Sequence, residues 1–501
     1  MIQTLLQADA VARWLHASVT GVLRADSRAV VPGDAFVAWP GAATDGRRFV
    51  RDALAAGAVA ALVEREGAEA FGFDDPRVLA MPDLKAQAGA VAAAFVGHPS
   101  DSLDMVAFTG TNGKTSSAWW MAQLLSACQR PAAVVGTLGI GQPGRDLQTT
   151  GLTTPDPVTL QTALRRFVDT GVRACAVEAS SIGLVEGRLN GTRIGVAVFT
   201  NFTQDHLDFH GSMDAYWAAK RRLFDWPGLQ AAVINTDDPQ GPALAEAMRA
   251  RALDVWTVAI DAPARLSAHA LTATPAGMAF TIEERDAFDR VVAREALSLP
   301  LVGRYNVHNL LGVIAAARAL DVPLSQALAA CGSLGPVPGR LQAVPGGEDQ
   351  PLVLVDYAHT PDAVAQALAA VAPLAARRGG AVWVVLGCGG DRDPVKRPRM
   401  AAAAEAGAAR VVLTSDNPRR EDPAAILDQM RVGLQRPQAA ALIIDRAEAI
   451  AHAVAQAAPA DVVLIAGKGH EDYQDIGGTK RPFSDAQQAA AALARRAGGT
   501  A

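Results

Sequence analysis

Thr109-Gly110-Thr111-Asn112-Gly113-Lys114-Thr115 is the stretch that decides the fold: a glycine-spaced turn ending in Lys-Thr where a helix begins. Before it lies the apolar run Met105-Val106-Ala107-Phe108, and after it apolar residues recur at helical spacing from Ser116 to Ala127. That order predicts strand, turn and helix start. Gly110 and Gly113 let the backbone turn tightly and aim N–H groups at phosphate oxygens, and the helix N-terminus adds partial positive charge. Lys114 then reaches the outer phosphates, and the hydroxyl of Thr115 faces a magnesium ion, with Thr111, Asn112 and Ser116 completing the loop. Phe108 stands where the strict GxxxxGK[ST] pattern has its first glycine, so the fit is to the shorter Gly-x-x-Gly-Lys-Thr form. An ordinary Gly/Asn turn needs no Lys-Thr at a helix start.

Outward from the loop, Ala132 to Val135, Ala174 to Val177, Val196 to Thr200 and Ala231 to Asn235 are short apolar runs separated by helix-length segments, which predicts a parallel sheet. Breaker clusters at Gly97 to Asp101 and Gly335 to Gly339 divide the chain into expected domains 1–99, 100–336 and 337–501. The first shows strand-like runs at Ala35 to Ala38 and Val59 to Val63. The last repeats the alternation at Val353 to Val355, Val382 to Leu386, Val411 to Leu413, Leu442 to Ile444 and Val462 to Ile465. The expected class is α/β: a central P-loop ATPase domain on a parallel sheet, flanked by a small N-terminal α/β domain and a C-terminal Rossmann-like domain.

A chain of 501 residues accommodates about three or four domains. Its 46 Lys plus Arg against 51 Asp plus Glu leave a net charge of −5, so there is no basic field for a nucleic-acid backbone. The four cysteines, Cys128, Cys175, Cys331 and Cys388, show no CxxC pairing, which fits a reducing compartment. No basic n-region opens the chain and no run nears the ~20 apolar residues of a membrane span. A soluble, cytoplasmic protein with no membrane insertion is expected.

In open parallel sheets ligands bind beyond the carboxyl ends of strands. There the chain places Glu178-Ala179-Ser180-Ser181 and Asn201-Phe202-Thr203-Gln204-Asp205-His206-Leu207-Asp208-Phe209-His210. Glu178 and His206 could share a metal ion with the phosphates; equally, Glu178 could cap the next helix and His206 lie at the surface. Lys220, on a helix expected from Ala215 to Phe224, reads by itself as a solvated lysine.

Together with Gly303-Arg304-Tyr305-Asn306-Val307-His308-Asn309, Pro338-Gly339-Arg340 and Asp356-Tyr357-Ala358-His359-Thr360-Pro361-Asp362, these motifs resemble those of the Mur ligases, ATP-dependent amide-forming enzymes of peptidoglycan precursor synthesis. The resemblance runs over nearly the whole chain in matching order. It implies that ATP phosphorylates the D-glutamate γ-carboxylate of UDP-N-acetylmuramoyl-L-alanyl-D-glutamate, and that an amine attacks the acyl phosphate. It also implies a magnesium site at Thr115, Glu178, His206 and Lys220, the lysine carbamylated into an oxygen ligand, with Lys114, Glu178, His206 and Lys220 catalytic. Asn306 and Asn309 would face adenine, and Arg340 and Asp356 the phosphate and ribose; helix capping and a surface ion pair are the plain alternatives. The muramoyl dipeptide would meet Ala25, Ser27, Thr153, Thr154, Ser180, Glu186 and Arg188, in an N-terminal domain of uridine-nucleotide type. Ile182 and Glu186 depart from the family's histidine and glutamine.

The amine substrate is expected at Asp416-Asn417-Pro418-Arg419. Lysine ends in a lone ammonium, whereas meso-diaminopimelate ends in a second amino-acid head, and Arg419, aided by Arg392, offers a fork for its carboxylate. Asp416 and Glu471 could accept from its ammonium, beside Gly467. A simple Asn-Pro turn with solvated arginines is the plain reading. Gly467-Lys468-Gly469-His470 lacks Ser or Thr after the lysine and reads as a substrate-facing turn, not a second phosphate loop. The partners expected are small molecules alone, acting on a monomer. The rivals are a lysine-adding ligase, a folate-type glutamate ligase, and a nucleotide switch that performs no amide synthesis.

Overall fold

The computed structural model describes residues 2–41, 44–145, 147–274 and 277–498, with the side chains of 497 and 498 left aside. Three sheets follow one another along the chain, each covered on both faces. The central one has ten strands, in the order Val291–Leu299, Gly277–Arg285, Leu266–Thr274, Asp254–Ile260, Ala231–Asn235, Val196–Phe199, Asp104–Thr109, Ala174–Glu178, Ala132–Gly136 and Gly139–Gly141. From Leu266–Thr274 to Ala132–Gly136 every neighbouring pair is parallel.

Alternation within the strand Asp104–Thr109 places Val106 and Phe108 in the core on one face and Met105 and Ala107 in the core on the other. A run that is apolar at every position is what a strand buried on both sides requires. This strand lies between Val196–Phe199 and Ala174–Glu178 although the chain goes first to Ala132–Gly136, so the strand order switches here. The loop at Gly110–Thr115 opens at that switch point, where α/β sheets bind their ligands. The helix Lys114–Ala127 rises from it.

The N-terminal sheet is parallel with five strands, Gln3–Thr4, Val78–Met81, Ala60–Glu64, Ala35–Ala38 and Leu23–Arg24 in order. Three of them exceed the two runs expected, because strands of two to four residues leave no periodic signal. The six-stranded C-terminal sheet runs Gln342–Val344, Leu352–Asp356, Val462–Ala466, Val382–Leu386, Arg410–Leu413 and Ala441–Leu442, parallel except for the first pair. The last strand stops at Leu442 rather than continuing to Ile444 as expected, and Ile444 stands 49% exposed. A separate hairpin joins Tyr473–Ile476 to Thr479–Pro482.

The antiparallel extension Leu266–Leu299 was not expected. Its outer strand is exposed at most positions, so apolar alternation cannot mark it. The helix foreseen from Ala215 to Phe224 runs Met213–Arg221, capped by Ser212, and tightens into a 3₁₀ turn.

Candidate active site

Two adjoining clefts open between the central and C-terminal sheets. The first is lined by the loop residues Thr111 to Ser116 with Thr137, Thr153, Glu178, Asp205, His206, Tyr305, Asn309, Arg340, Asp356, Tyr357 and His359. The second is lined by Arg392, Asp416, Asn417, Arg419, Gly467 and Glu471, together with Ile182, Phe209 and Lys396. Asp205, His206, Tyr357 and His359 belong to both walls. A group held in one cleft therefore faces a group held in the other.

Lys114 curls back over the loop and donates to the carbonyls of Gly110 and Thr111, both at 2.9 Å. Burial lowers its pKa against the pull of Glu178 and Asp205. Gly113 is required: its φ is +87°, and a Cβ there would run into the Asn309 side chain. Glu178 does not cap the following helix. Ser180 does, accepting from Gly183 N at 3.1 Å. Freed of that task, the buried Glu178 carboxylate accepts from Thr115 Oγ1 at 2.9 Å and from Thr137 N at 2.7 Å. Thr115 Oγ1 in turn accepts from Arg340 Nη2 at 3.1 Å, and that guanidinium stacks over Tyr357.

His206 adopts φ +51°, a left-handed conformation that a non-glycine residue rarely holds. Arg419 (+52°), Asp391 (+50°) and Leu341 (+43°) share it around the two clefts. Desolvation pushes the His206 pKa down, countered by Asp205. Burial alone would raise Asp205, but His206, His359 and Lys396 bring it below the usual carboxylate value. His359 donates from Nδ1 to Tyr357 O at 2.8 Å and is pressed by burial to a pKa of about 4, so it is neutral at pH 7.

Lys220 is not solvated. It is 1% exposed, donates to Gly110 O at 2.7 Å, and lies 4.3 Å over the Tyr216 ring. Burial, then repulsion from Lys114, drives its pKa well down.

Asn309 reaches the first cleft, whereas Asn306 does not line it. Asn306 instead donates to Val302 O at 2.8 Å and accepts from Asn309 Nδ2 at 3.3 Å, bracing Asn309. Asp356 is held by the N–H groups of Leu341 and Ala358, its pKa raised by burial. Thr154 donates to Glu178 O at 2.6 Å, and Arg188 to Thr154 O at 3.0 Å. Glu186 forms a 2.6 Å ion pair with Lys85 beside a separate groove. Ala25 and Ser27 lie on the turn after Leu23–Arg24 and line neither cleft.

In the second cleft, Arg419 Nη1 donates to Gly390 O at 2.6 Å. Pro418 is absent from the lining. Asn417 donates to Glu471 Oε2 and accepts from Lys468 Nζ and Asp475 N. Lys468 is wholly buried and 2.8 Å from Glu471, so it faces protein and not the cleft. The motif is expected to face the substrate; Gly467 lines the cleft and Lys468 does not, an inward turn its local sequence does not signal. Thr137, Asp205 and Lys396 were likewise missed; the one available signal was Asp205 standing directly before His206.

A magnesium ion fits the donor set. Thr115 Oγ1 and Glu178 Oε2 are hard oxygens 2.9 Å apart. Among the described residues no group of three or more His, Cys, Asp or Glu side chains could hold a metal unaided. Magnesium takes one or two carboxylates and completes its shell with water and phosphate oxygens. Among the described residues no helix is long and apolar enough to cross a membrane.

Three family profiles match in sequence: the Mur ligase family catalytic domain at residues 20–103, the Mur ligase middle domain at 108–317, and the Mur ligase glutamate ligase domain at 339–469. UDP-N-acetylmuramoyl-L-alanyl-D-glutamate–2,6-diaminopimelate ligase of Acidovorax sp. (strain JS42) is 55% identical, covering 99% of each chain. That of Janthinobacterium sp. (strain Marseille) is 46% identical over 96% of each. A solved structure of a ligase of that name is 35% identical over 95% of each chain, with a TM-score of 0.64.

Proposed function

The chain belongs to the Mur ligase family, and on that footing we propose that it joins meso-2,6-diaminopimelate to UDP-N-acetylmuramoyl-L-alanyl-D-glutamate at the expense of ATP. The observation that carries this reading is the pair of clefts sharing one wall, with the glycine-spaced Lys-Thr loop in the first and Arg392 and Arg419 in the second. Phosphoryl transfer is mainly positioning and charge neutralisation, and the first cleft supplies both. Lys114 and Arg340 would neutralise the outer phosphates, with Asn309 and Asp356 toward the nucleoside. Thr115, Glu178 and His206 would hold magnesium, which when bound offsets phosphate charge.

Lys220 supports carbamylation through its environment. Carbamylation consumes a neutral amine, and a buried lysine whose proton is disfavoured is that form. The acyl phosphate would form at the shared wall, with Thr153, Thr154, Ser180 and Arg188 along the approach of the dipeptide and Ala25, Ser27 and Glu186 further out on the uridine side. The amine approaches from the second cleft, its distal carboxylate on Arg419 and Arg392 and its distal ammonium on Asp416 and Glu471. Lysine lacks that carboxylate, so a lysine-adding pocket would leave these arginines without a carboxylate to offset their charge. We divide the chain accordingly at residues 99 and 336, into units for the uridine precursor, ATP and the amino acid. The reading carries with it a cytoplasmic monomer working on small molecules.

Phosphate release by the purified protein, given ATP, magnesium and the UDP-dipeptide, should depend on meso-diaminopimelate. Equal or faster release with L-lysine would overturn the choice of amine, and release with neither would overturn the reaction.

A further inference from the structure

The hairpin Tyr473–Pro482 lies beside the second cleft and its residues line no part of it. Yet it makes five hydrogen bonds to the loop that carries Asp416 and Arg419. Gln474 Nε2 donates to Asp416 O at 2.7 Å and to Ser415 Oγ at 2.8 Å. Asp475 N donates to Asn417 Oδ1 at 2.9 Å. Arg419 N donates to Asp475 O at 2.9 Å, and Gly477 N to Arg419 O at 2.6 Å. Arg419 thus joins the hairpin as one rung of parallel pairing.

Arg419 needs such bracing. Its φ of +52° is a conformation that persists only where surrounding contacts over-determine it. Gln474 is 8% exposed, and both its amide N–H groups are spent on the loop. We propose that Gln474 is a positioning residue for amino-acid selectivity: through Ser415 and the Asp416 carbonyl it fixes the loop so that the Asp416 carboxylate and the Arg419 guanidinium converge on the distal head of the amine substrate. The inference rests on the diaminopimelate reading above. A misplacement of about an ångström in a binding group is enough to weaken recognition without touching the reacting atoms.

Steady-state phosphate release, with each substrate varied in turn, tests it. KM and the ratio of kcat/KM values for two amines do not depend on what fraction of a preparation is folded, so a less stable variant remains informative. Gln474→Ala should raise KM for meso-diaminopimelate about thirtyfold, the effect of two lost buried hydrogen bonds, and leave KM for ATP and for the UDP-dipeptide unchanged. Its advantage for meso-diaminopimelate over L-lysine should shrink in step. Gln474→Glu keeps the length but sets an acceptor against the Asp416 carbonyl, so it should be impaired at least as much. An unchanged KM for meso-diaminopimelate, a parallel rise in all three KM values, or a Gln474→Glu variant that behaves as wild type would each overturn the proposal. Wild-type protein with no meso-diaminopimelate-dependent release would instead overturn the reading on which it rests.

Discussion

The two seams between the sheets differ in what lies along them. Where the N-terminal unit meets the central one, backbone lies on backbone. A Cβ at Gly89 would overlap the carbonyl of Asn190, and a Cβ at Gly191 would overlap that of Gly89. Asn190 Nδ2 donates to Ala86 O at 3.0 Å, and the Lys85–Glu186 pair closes the edge. Where the central unit meets the C-terminal one, Val302 and Tyr305 pack against the C-terminal core, while the contacts that flank the clefts are polar. Asn112 meets Asp362 at 3.3 Å, Arg340 meets Thr115 at 3.1 Å, and Arg399 meets Gln204 at 3.1 Å. The clefts along this second seam hold Lys114, Glu178, Asp205, His206 and His359 close together. Crowding charges where water is scarce costs stability unless a ligand joins them. The first seam is therefore designed to stay shut, and the second to be completed by what it binds.

The largest expected effect falls on the second seam. Lys114→Met removes the half-buried cation proposed to meet the phosphates while keeping its bulk, and should lower kcat for phosphate release by about 10²–10³, with the melting temperature unchanged or raised. A melting temperature that drops steeply would show that this cation is structural and would break the contrast. The first seam should respond the other way round. Gly89→Ala should lower stability by about 1–3 kcal/mol, seen as a fall in melting temperature, with kcat nearly preserved. If Gly89→Ala costs nothing, that seam is not closely packed.

A further effect is with pH. Burial lowers His359 to a pKa of about 4 and His470 to about 3, from an ordinary 6.5. In both, the unfolded chain binds a proton more readily than the folded one, so stability is greatest above pH 6.5 and declines as pH falls from there toward 4 and 3. Denaturant unfolding at pH 7.5 and 5 should show that decline. His359→Gln should flatten the part due to the second seam, and an identical slope in that variant would assign the loss elsewhere.

Which parts could be read in advance follows from how far apart the cooperating residues lie in sequence. The strand, loop and helix around Gly110–Thr115 are local, and so are the apolar runs of the central and C-terminal sheets, since a doubly covered strand must be apolar throughout. The short N-terminal strands and the exposed antiparallel extension carry no such pattern. Lys220 shows the same divide within the site. Its own stretch, Tyr216-Trp217-Ala218-Ala219-Lys220, has nothing to distinguish a buried amine from a solvated one. Only contact with Gly110, 110 residues away, makes the difference.

The sequence by itself determined that this chain builds phosphate-binding α/β architecture and carries, in order, the motifs of its family, because turn chemistry and strand burial are written in neighbouring residues. Tertiary structure alone decided that Asn306 braces Asn309, that Lys468 lies beneath Glu471, and that a hairpin far along the chain holds Arg419 in a left-handed turn. Those roles depend on desolvation and on hydrogen-bond partners brought from distant segments, and neither exists until the chain is folded.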